Sequence, residues 1–375
     1  MGVSRTHARF AKARPMTGLT GPVASSAGRM AVFYAGSLVC GAIADRMNLP
    51  LPWMLGALAF TMTASMSGFV VSFPRATRST GQMIVAAAVG LTFTPAAVGV
   101  VLTMFPAMLA AAVLTILAAL VVAVVLRRLA HVDAITAGLA SMPLGPVESA
   151  NIAGRLGIAE APVVFAQVLR IVLLILIIPP ALIWIDGTIA DPTEALRTTP
   201  WTWPGAALLL VVAFVGGYGG KLMGVSNPFF LGPLATCATV SALGLPVTAF
   251  PYVLLVLGQL LLGTSLGATF RPDFLRSARG FIPAAFASAL VLVALTTGIG
   301  LAMAQVLDLP WTVMVLATAP GSVTEMALTA KVLQQGVALV TAFHLTRIFL
   351  ILPLAPFMFQ FVARAAERMG KRPRG

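Results

Sequence analysis

The sequence predicts an all-α polytopic membrane protein made of two inverted-topology repeats. Each repeat has about five spans and one broken or re-entrant helix, which gives about 10–12 membrane segments in all. The 375 residues are 59% hydrophobic and only 9% charged, with a mean hydropathy of +0.98, whereas a soluble domain carries about 25% charged residues. Apolar runs of roughly 20 residues, long enough to cross a bilayer as helices, recur along the chain. A charged motif within them occurs twice.

Two sets of five apolar runs predict the spans. Helices are favoured, because the strands of a membrane barrel would alternate apolar and polar residues. The first set lies at 28–45, 51–71, 81–95, 99–126 and 160–184, and the second at 203–222, 228–244, 251–269, 281–306 and 337–362. Proline and glycine interrupt the stretches 134–157 and 310–335, between the last two runs of each set. Because proline breaks helices, we expect these stretches to enter the membrane and return, or to form discontinuous helices.

An internal duplication relates the two sets at an offset of 177 residues. The motif Pro320-Gly321-Ser322-Val323-Thr324-Glu325-Met326-Ala327 has its counterpart at 143–150, and Arg347 has its counterpart at Arg170. Gly81-Gln82 likewise recurs as Gly258-Gln259. The predicted organisation is a basic tail at 1–27, a first membrane repeat at 28–185, an extracytoplasmic linker at 186–202, a second membrane repeat at 203–362 and a basic tail at 363–375.

The positive charges predict opposite orientations for the two repeats, because Lys and Arg collect in cytoplasmic loops. Arg75 and Arg78 follow the second run of the first repeat, whereas the matching loop at 244–251 is uncharged. Placing both termini in the cytoplasm puts 18 of the 24 Lys and Arg residues on that side. Each repeat would then make an odd number of crossings, most simply five.

The charged residues of the duplicated motif are the first candidates for a functional site. An ionisable side chain inside a span costs roughly 2.5–3.5 kcal/mol on insertion scales, so it needs a partner or a purpose. Glu325 and Glu148 follow the breaks, where helix N-termini attract anions, and we predict that they couple an ion. Arg347 and Arg170 would be their partners or would hold the substrate. The alternative is a buried Glu–Arg pair that only stabilises the packing.

Further candidates for substrate contact lie in the breaks and at matched polar positions of the apolar helices. They are Pro320, Gly321, Ser322, Thr324, Gly145, Gln82, Gln259, Thr92, Thr269, His344 and Gln167. The glutamines and threonines neighbour glycines, so hydrogen bonds between close-packed helices explain them equally well. His344 and Gln167 lie three residues before the arginines, on the same helix face. A proton relay through His344 is the alternative to a structural role.

Other functional classes lack the residues that they need. The three histidines are scattered, which predicts no metal site and no cofactor. Cys40 and Cys237 lie in apolar segments and predict no disulfide framework. No phosphate-binding loop or dinucleotide fingerprint occurs in a strand–helix setting, and the tails are too short for a DNA-binding domain. We therefore expect no enzyme and no direct contact with nucleic acid.

Several of these motifs resemble the bacterial integral membrane AbrB-like family. The resemblance covers about 30–362 and is carried by Leu51-Pro52-Trp53-Met54-Leu55-Gly56, by the repeated Gly-x-Thr-Phe-x-Pro and by Ala319-Pro320-Gly321-Ser322-Val323-Thr324-Glu325-Met326. It implies a duplicated membrane protein, in a family commonly labelled as transcriptional regulators or ammonia monooxygenases. Leu144 and Ser149 depart from Gly321 and Met326 of the second copy, which makes the second copy the better candidate site.

Inverted repeats with broken helices are the usual build of secondary transporters. The sequence therefore predicts a bacterial inner-membrane protein that moves a small, anionic solute coupled to protons or sodium. The second hypothesis is a membrane-embedded regulator or sensor that affects gene expression indirectly, and the third is a membrane enzyme, which the missing metal ligands disfavour. The expected partners are the lipid bilayer, the solute and the coupling ion, and a homodimer is left open.

Overall fold

A computed structural model describes residues 27–186, 194–270 and 280–370, and within these ranges the chain is helical with no β-strand. The all-α prediction is therefore confirmed for the described residues. The basic tail predicted at 1–27 lies outside them except for its last residue, and so do residues 371–375 of the second tail.

Sixteen helices follow one another in the described ranges. They are α1 (Ala27–Arg46), α2 (Pro52–Met66), α3 (Arg75–Gly90), α4 (Pro95–Thr103), α5 (Phe105–Ala130), α6 (Ala134–Ser141), α7 (Pro146–Arg155), α8 (Glu160–Asp186), α9 (Glu194–Thr198), α10 (Trp203–Leu222), α11 (Pro228–Ala242), α12 (Tyr252–Gly267), α13 (Phe281–Leu307), α14 (Trp311–Thr318), α15 (Val323–Val332) and α16 (Val337–Gly370).

Six of the described helices are long and apolar enough to cross a membrane. They are α1, α5, α8, α10, α13 and α16. The apolar helices α11 and α12 are shorter, and α3 and α4 form a pair bent by 91°. These lengths and compositions fit a multi-pass membrane protein, as the sequence predicts.

The duplication in the sequence is also a duplication of helix boundaries. Adding 176 to the bounds of α1 and α2 gives those of α10 and α11. Adding 177 to the bounds of α3, α6 and α7 gives those of α12, α14 and α15. The same local structure therefore forms twice along the chain.

The predicted span at 99–126 begins too early, because the structure divides this stretch between two helices and only the second is long enough to cross a membrane. α4 ends at Thr103 and α5 begins at Phe105, with Pro106 in its first turn. Proline has no amide hydrogen to donate to the preceding turn, so it is tolerated at the start of a helix and interrupts one elsewhere. The last helix also continues to Gly370, beyond the predicted limit at 362.

The helices pack in two groups, and each group takes members from both halves of the chain. In the first group α1 packs against α2, α10 against α11, α2 against α12 and α3 against α11; in the second, α5 packs against α13 and α16, and α13 packs against α8. Glycines let the helices of the first group approach closely. A Cβ atom on Gly56 would clash with the backbone of Cys40, and one on Gly232 with the backbone of Gly216. Helix α3 also contacts α15 and α16, which brings the first group against the second broken helix.

Candidate functional site

Proline ends the first short helix at each break. α6 ends before Met142, whose φ of −59° and ψ of 138° are extended, and α14 ends before Ala319, with −51° and 137°. Each of these residues precedes a proline, which disfavours the helical conformation for it. The helix resumes at Pro146 in α7 and at Val323 in α15. Both interruptions predicted from the sequence are present, each between two short helices.

Arg347 binds the carbonyl groups that the second break leaves free. Its Nη1 donates to Ala319 O at 2.7 Å, and its Nη2 donates to Gly321 O at 2.7 Å. Arg347 Nη2 also lies 2.8 Å from Nδ1 of His344, whose Nε2 lies 2.9 Å from Leu316 O. Arg347 is 2% exposed, so these bonds form away from water.

Arg170 makes the corresponding contacts at the first break. Its Nη1 donates to Met142 O at 3.2 Å, and its Nη2 donates to Leu144 O at 3.4 Å. Nη2 also donates to Gln167 Oε1, and Gln167 Nε2 donates to Leu139 O at 2.7 Å. Subtracting 177 from the numbers of the acceptors in the second copy gives these same positions.

The two arginines therefore act as caps for broken helices. The last carbonyl groups of a helix have no partner within it, and an unsatisfied backbone group is costly where water is excluded. A guanidinium group offers five donors in a fixed planar geometry, and its charge is favourable at a helix C-terminus. Sequence reasoning missed this role, because a backbone carbonyl acceptor leaves no side-chain signal.

The hydrogen bonds of His344 fix its tautomer. Leu316 O only accepts, so Nε2 carries the hydrogen, while Nδ1 accepts from the arginine. In a doubly protonated imidazole Nδ1 would also carry a hydrogen, and two donors would then face each other at Arg347. Gln167 makes the same pair of contacts with an amide, donating to Leu139 O and accepting from Arg170. The geometry favours the structural role of His344 over a proton relay.

Glu325 lies in the first turn of α15, as predicted, but its ion pair is with a different arginine. Glu325 is 2% exposed, and its Oε1 lies 3.8 Å from Nη2 of Arg78 in the first turn of α3. Its Oε2 is buried and has no hydrogen-bond partner in the described part of the chain. The predicted partnership of Glu325 with Arg347 does not form, because the guanidinium of Arg347 binds backbone carbonyl groups, and the Glu–Arg contact across the repeats is the one with Arg78.

Glu148 occupies the matching turn of α7 in a different environment. It is only partly buried, and a Cβ atom on Gly145 would clash with its Oε2, so the carboxylate folds back over the residue before its helix. Within the described ranges it forms no ion pair. The position matching Arg78 is Leu255, on α12.

The structure gives the predicted threonines local contacts. Thr92 Oγ1 donates to Val89 O at 2.6 Å, and Thr269 Oγ1 donates to Leu266 O at 2.7 Å, each at the end of its own helix. In the second break, Ser322 precedes α15 without a side-chain cap bond, and the buried Thr324 hydroxyl lacks a partner in the described structure. Thr324 thus adds a second unpaired oxygen next to Glu325 in the sequence.

The predicted glutamines lie where α3 and α12 cross. A Cβ atom on Gly81 would lie 3.0 Å from Gly258 O, so the two helices are close at the glycines that precede Gln82 and Gln259. Gln82 and Gln259 are both buried, and neither amide atom of Gln259 has a hydrogen-bond partner in the described ranges. The close packing at glycines agrees with the alternative that the glutamines lie between packed helices. The expected hydrogen bonds are missing for Gln259, because its amide is unpaired in the described ranges.

The central residue that the sequence analysis did not propose is Arg78. In the sequence it contributes only a loop charge, although it stands four residues before Gln82 and therefore on the same face of α3. No group of three or more His, Cys, Asp or Glu side chains among the described residues could hold a metal ion.

Comparisons with known proteins identify the relatives of this chain. The family described as "Transition state regulatory protein AbrB" matches residues 53–363. The Escherichia coli (strain K12) protein named "Putative regulator AbrB" is 23% identical over 326 residues, which are 86% of this chain and 93% of that protein. The Bacillus subtilis (strain 168) protein "Uncharacterized protein YhjN" is 25% identical over 254 residues, 63% of this chain and 66% of that protein. No solved structure matches the chain.

Proposed function

The chain belongs to the membrane AbrB-like family, and on that premise we propose that it is a secondary-transporter-like protein of the bacterial inner membrane. It moves a small anionic solute, and protons or sodium ions drive the movement. The observation that carries this proposal is the buried Glu325 carboxylate with one unpaired oxygen at a broken helix.

The two halves of the chain would be inverted-topology repeats. Matched loops differ in positive charge, as expected if they lie on opposite sides of the membrane. The repeated helix boundaries and the mixed membership of both packing groups support this arrangement. We propose about five crossings per repeat, with both termini in the cytoplasm.

Glu325 is the proposed ion-coupling residue. A carboxylate that alternately takes up and releases a proton or sodium ion needs an oxygen that is not already committed. Glu325 Oε2 meets that condition, and Thr324 Oγ1 is a further unpaired oxygen beside it in the sequence. Glu325 lies in the first turn of α15, so the amides at that helix N-terminus are close to the proposed ion site.

Gln259 is the proposed contact for the solute. Its amide is fully buried and offers both a donor and an acceptor with no partner in the described ranges. Buried polar groups without partners are uncommon in folded proteins, and each needs an explanation. Arg347 and Arg170 instead hold the two breaks open by capping their carbonyl groups. The chain has no proposed catalytic role.

A membrane-embedded regulator or sensor is the second candidate. The name of the Escherichia coli relative favours it, and so does the commitment of the arginine Nη donors to the backbone. Such a protein would bind the same class of solute without moving it. Any effect on transcription would be indirect, through a cytoplasmic partner and without nucleic-acid contact by this chain. A homodimer is compatible with either candidate.

Flux into liposomes separates the two candidates. Purified protein is reconstituted, and the uptake of radiolabelled acetate, lactate, succinate, citrate and glutamate is measured with a proton gradient and with a sodium gradient, against protein-free liposomes. Transport predicts solute-dependent flux with at least one compound, reduced at least about tenfold in Glu325→Gln, as expected for a group acting directly in proton transfer. The matched variant Glu148→Gln should retain most of the flux.

The thermal unfolding midpoint, Tm, of each variant shows whether it is folded. A folded Glu325→Gln protein with wild-type flux would remove Glu325 from the mechanism. Compounds that raise the Tm of the wild type and yet give no flux would favour the sensor.

A further inference from the structure

A small cavity lies beside Arg170 in the first copy. Helices α5, α6, α8 and α13 surround it, and small or apolar side chains form most of its wall. The polar residues in the wall are Ser141, Arg170 and Ser288. The cavity volume is about 10 Å³, near the smallest volume that holds one water molecule.

Three polar atoms of these lining residues are buried and unpaired. Ser141 Oγ, Ser288 Oγ and Arg170 Nε have no hydrogen-bond partner in the described structure. The residues are 3%, 4% and 2% exposed, respectively. Because a buried polar atom without a partner is costly, three of them around one cavity indicate a ligand. The guanidinium N–H and the two hydroxyl groups can all donate, so the ligand should be an acceptor.

The charge of Arg170 indicates that the acceptor is an anion. Its Nη donors bind carbonyl groups and an amide, which are neutral. Among the described residues, no carboxylate forms an ion pair with Arg170 or with Arg347. A buried charge without a counter-charge is strongly disfavoured. A bound anion would supply that counter-charge.

The second copy lacks this set of donors. Thr318 matches Ser141, but its hydroxyl donates to Thr296 O and Met314 O, both at 2.9 Å. Ala111 stands at the position that matches Ser288. The two copies thus share the arginine cap and differ in the polar wall beside it.

We propose that the cavity formed by Ser141, Arg170 and Ser288 binds a halide-sized monovalent anion, such as chloride. The volume suits a single atom better than a carboxylate group. The anion is a resident counter-ion for Arg170 and is distinct from the solute that is moved, so this site does not depend on the proposed transport.

Thermal unfolding of the purified full-length protein in detergent tests the site. The Tm is measured in sodium chloride, sodium bromide, sodium acetate and sodium gluconate at equal ionic strength. Chloride and bromide should raise the Tm of the wild type by roughly 2 °C or more relative to gluconate, and acetate should not. Ser141→Ala and Ser288→Ala should each lose at least half of the halide-dependent rise. The matched control Thr318→Ala should keep it.

A second measurement uses only the wild type, in case the serine variants do not fold. Crystals grown in bromide should show anomalous density within hydrogen-bond distance of Arg170 Nε. Four results would overturn the proposal: a Tm that does not respond to halide, an equal response in all variants, a response to acetate as large as that to chloride, or bromide density that is absent from the cavity. The flux assay is unaffected by any of these results, so the two proposals fail separately.

Discussion

The two broken helices share one scaffold and carry different functional groups. In both copies an arginine binds the carbonyl groups that a proline frees, with the help of His344 or Gln167. Only the second copy places a buried glutamate next to an arginine of the other packing group, Arg78. The comparison teaches that the arginine cap common to both copies maintains the backbone, whereas the surroundings of the shared glutamate differ, and a role in coupling is to be sought in that difference.

The largest expected effect comes from removing the shared cap. Arg347→Gln would leave Ala319 O and Gly321 O without their donor in a buried site. Each buried unsatisfied group costs about 1–3 kcal/mol, so the free energy of unfolding should fall by several kcal/mol. Arg170→Gln should cost a similar amount. Thermal unfolding in detergent measures both, and a folded Arg347→Gln protein with normal Tm and no flux would make the arginine a substrate ligand instead.

Substitutions at His344 should have an intermediate effect on stability. They separate the hydrogen bonds that His344 makes from its capacity to relay a proton. His344→Gln reproduces the first copy and should lower the free energy of unfolding by less than about 1.5 kcal/mol. His344→Leu should cost about 1–3 kcal/mol, because Leu316 O loses its donor and the arginine loses an acceptor. The measurement is the Tm together with the pH profile of flux. A pH dependence that disappears in His344→Gln would restore the proton relay.

The smallest effect on stability is expected at Arg78, whose matched position in the second repeat carries no charge. Arg78→Leu gives the first repeat the residue that the second repeat has at the matching position, Leu255. The Arg78 side chain is 24% exposed and its contact with Glu325 is 3.8 Å long, so the stability loss should be about 1 kcal/mol, at the low end of the cost of leaving a buried group without its partner. Flux and its dependence on pH or sodium should nevertheless change clearly. Arg75→Leu, at an exposed arginine in the same first turn of α3, is the control that should leave flux unaltered.

The local features of the fold could be predicted from the sequence because they depend on neighbouring residues. Apolar runs and the 177-residue offset located most helices, and the Pro143 and Pro320 positions located the two breaks. The interruption between Thr103 and Phe105 was missed, since a single proline in a long apolar run reads equally well as a kinked span. The 91° bend between α3 and α4 depends on packing against distant helices, which the sequence does not state.

The sequence predicted some members of the candidate site, but it did not single out Arg78 and it did not indicate the pairings. Glu325 and Arg347 stand out as charges in apolar sequence. The contact between Arg78 and Glu325 joins residues far apart in the chain, and no local pattern indicates it. The hydroxyl groups of Ser141 and Ser288 give no signal in the sequence, since small-residue packing in membrane helices accounts for serine without a ligand.

The interleaving of the two halves has a consequence for biogenesis. The face of α2 that packs against α12 is complete when Met66 has been made, yet its partner ends at Gly267. At about 5–20 residues per second, translation of the intervening segment takes roughly 10–40 s. During that interval lipid or an insertion factor must cover this face of α2, because the helix that packs against it has not yet been synthesised.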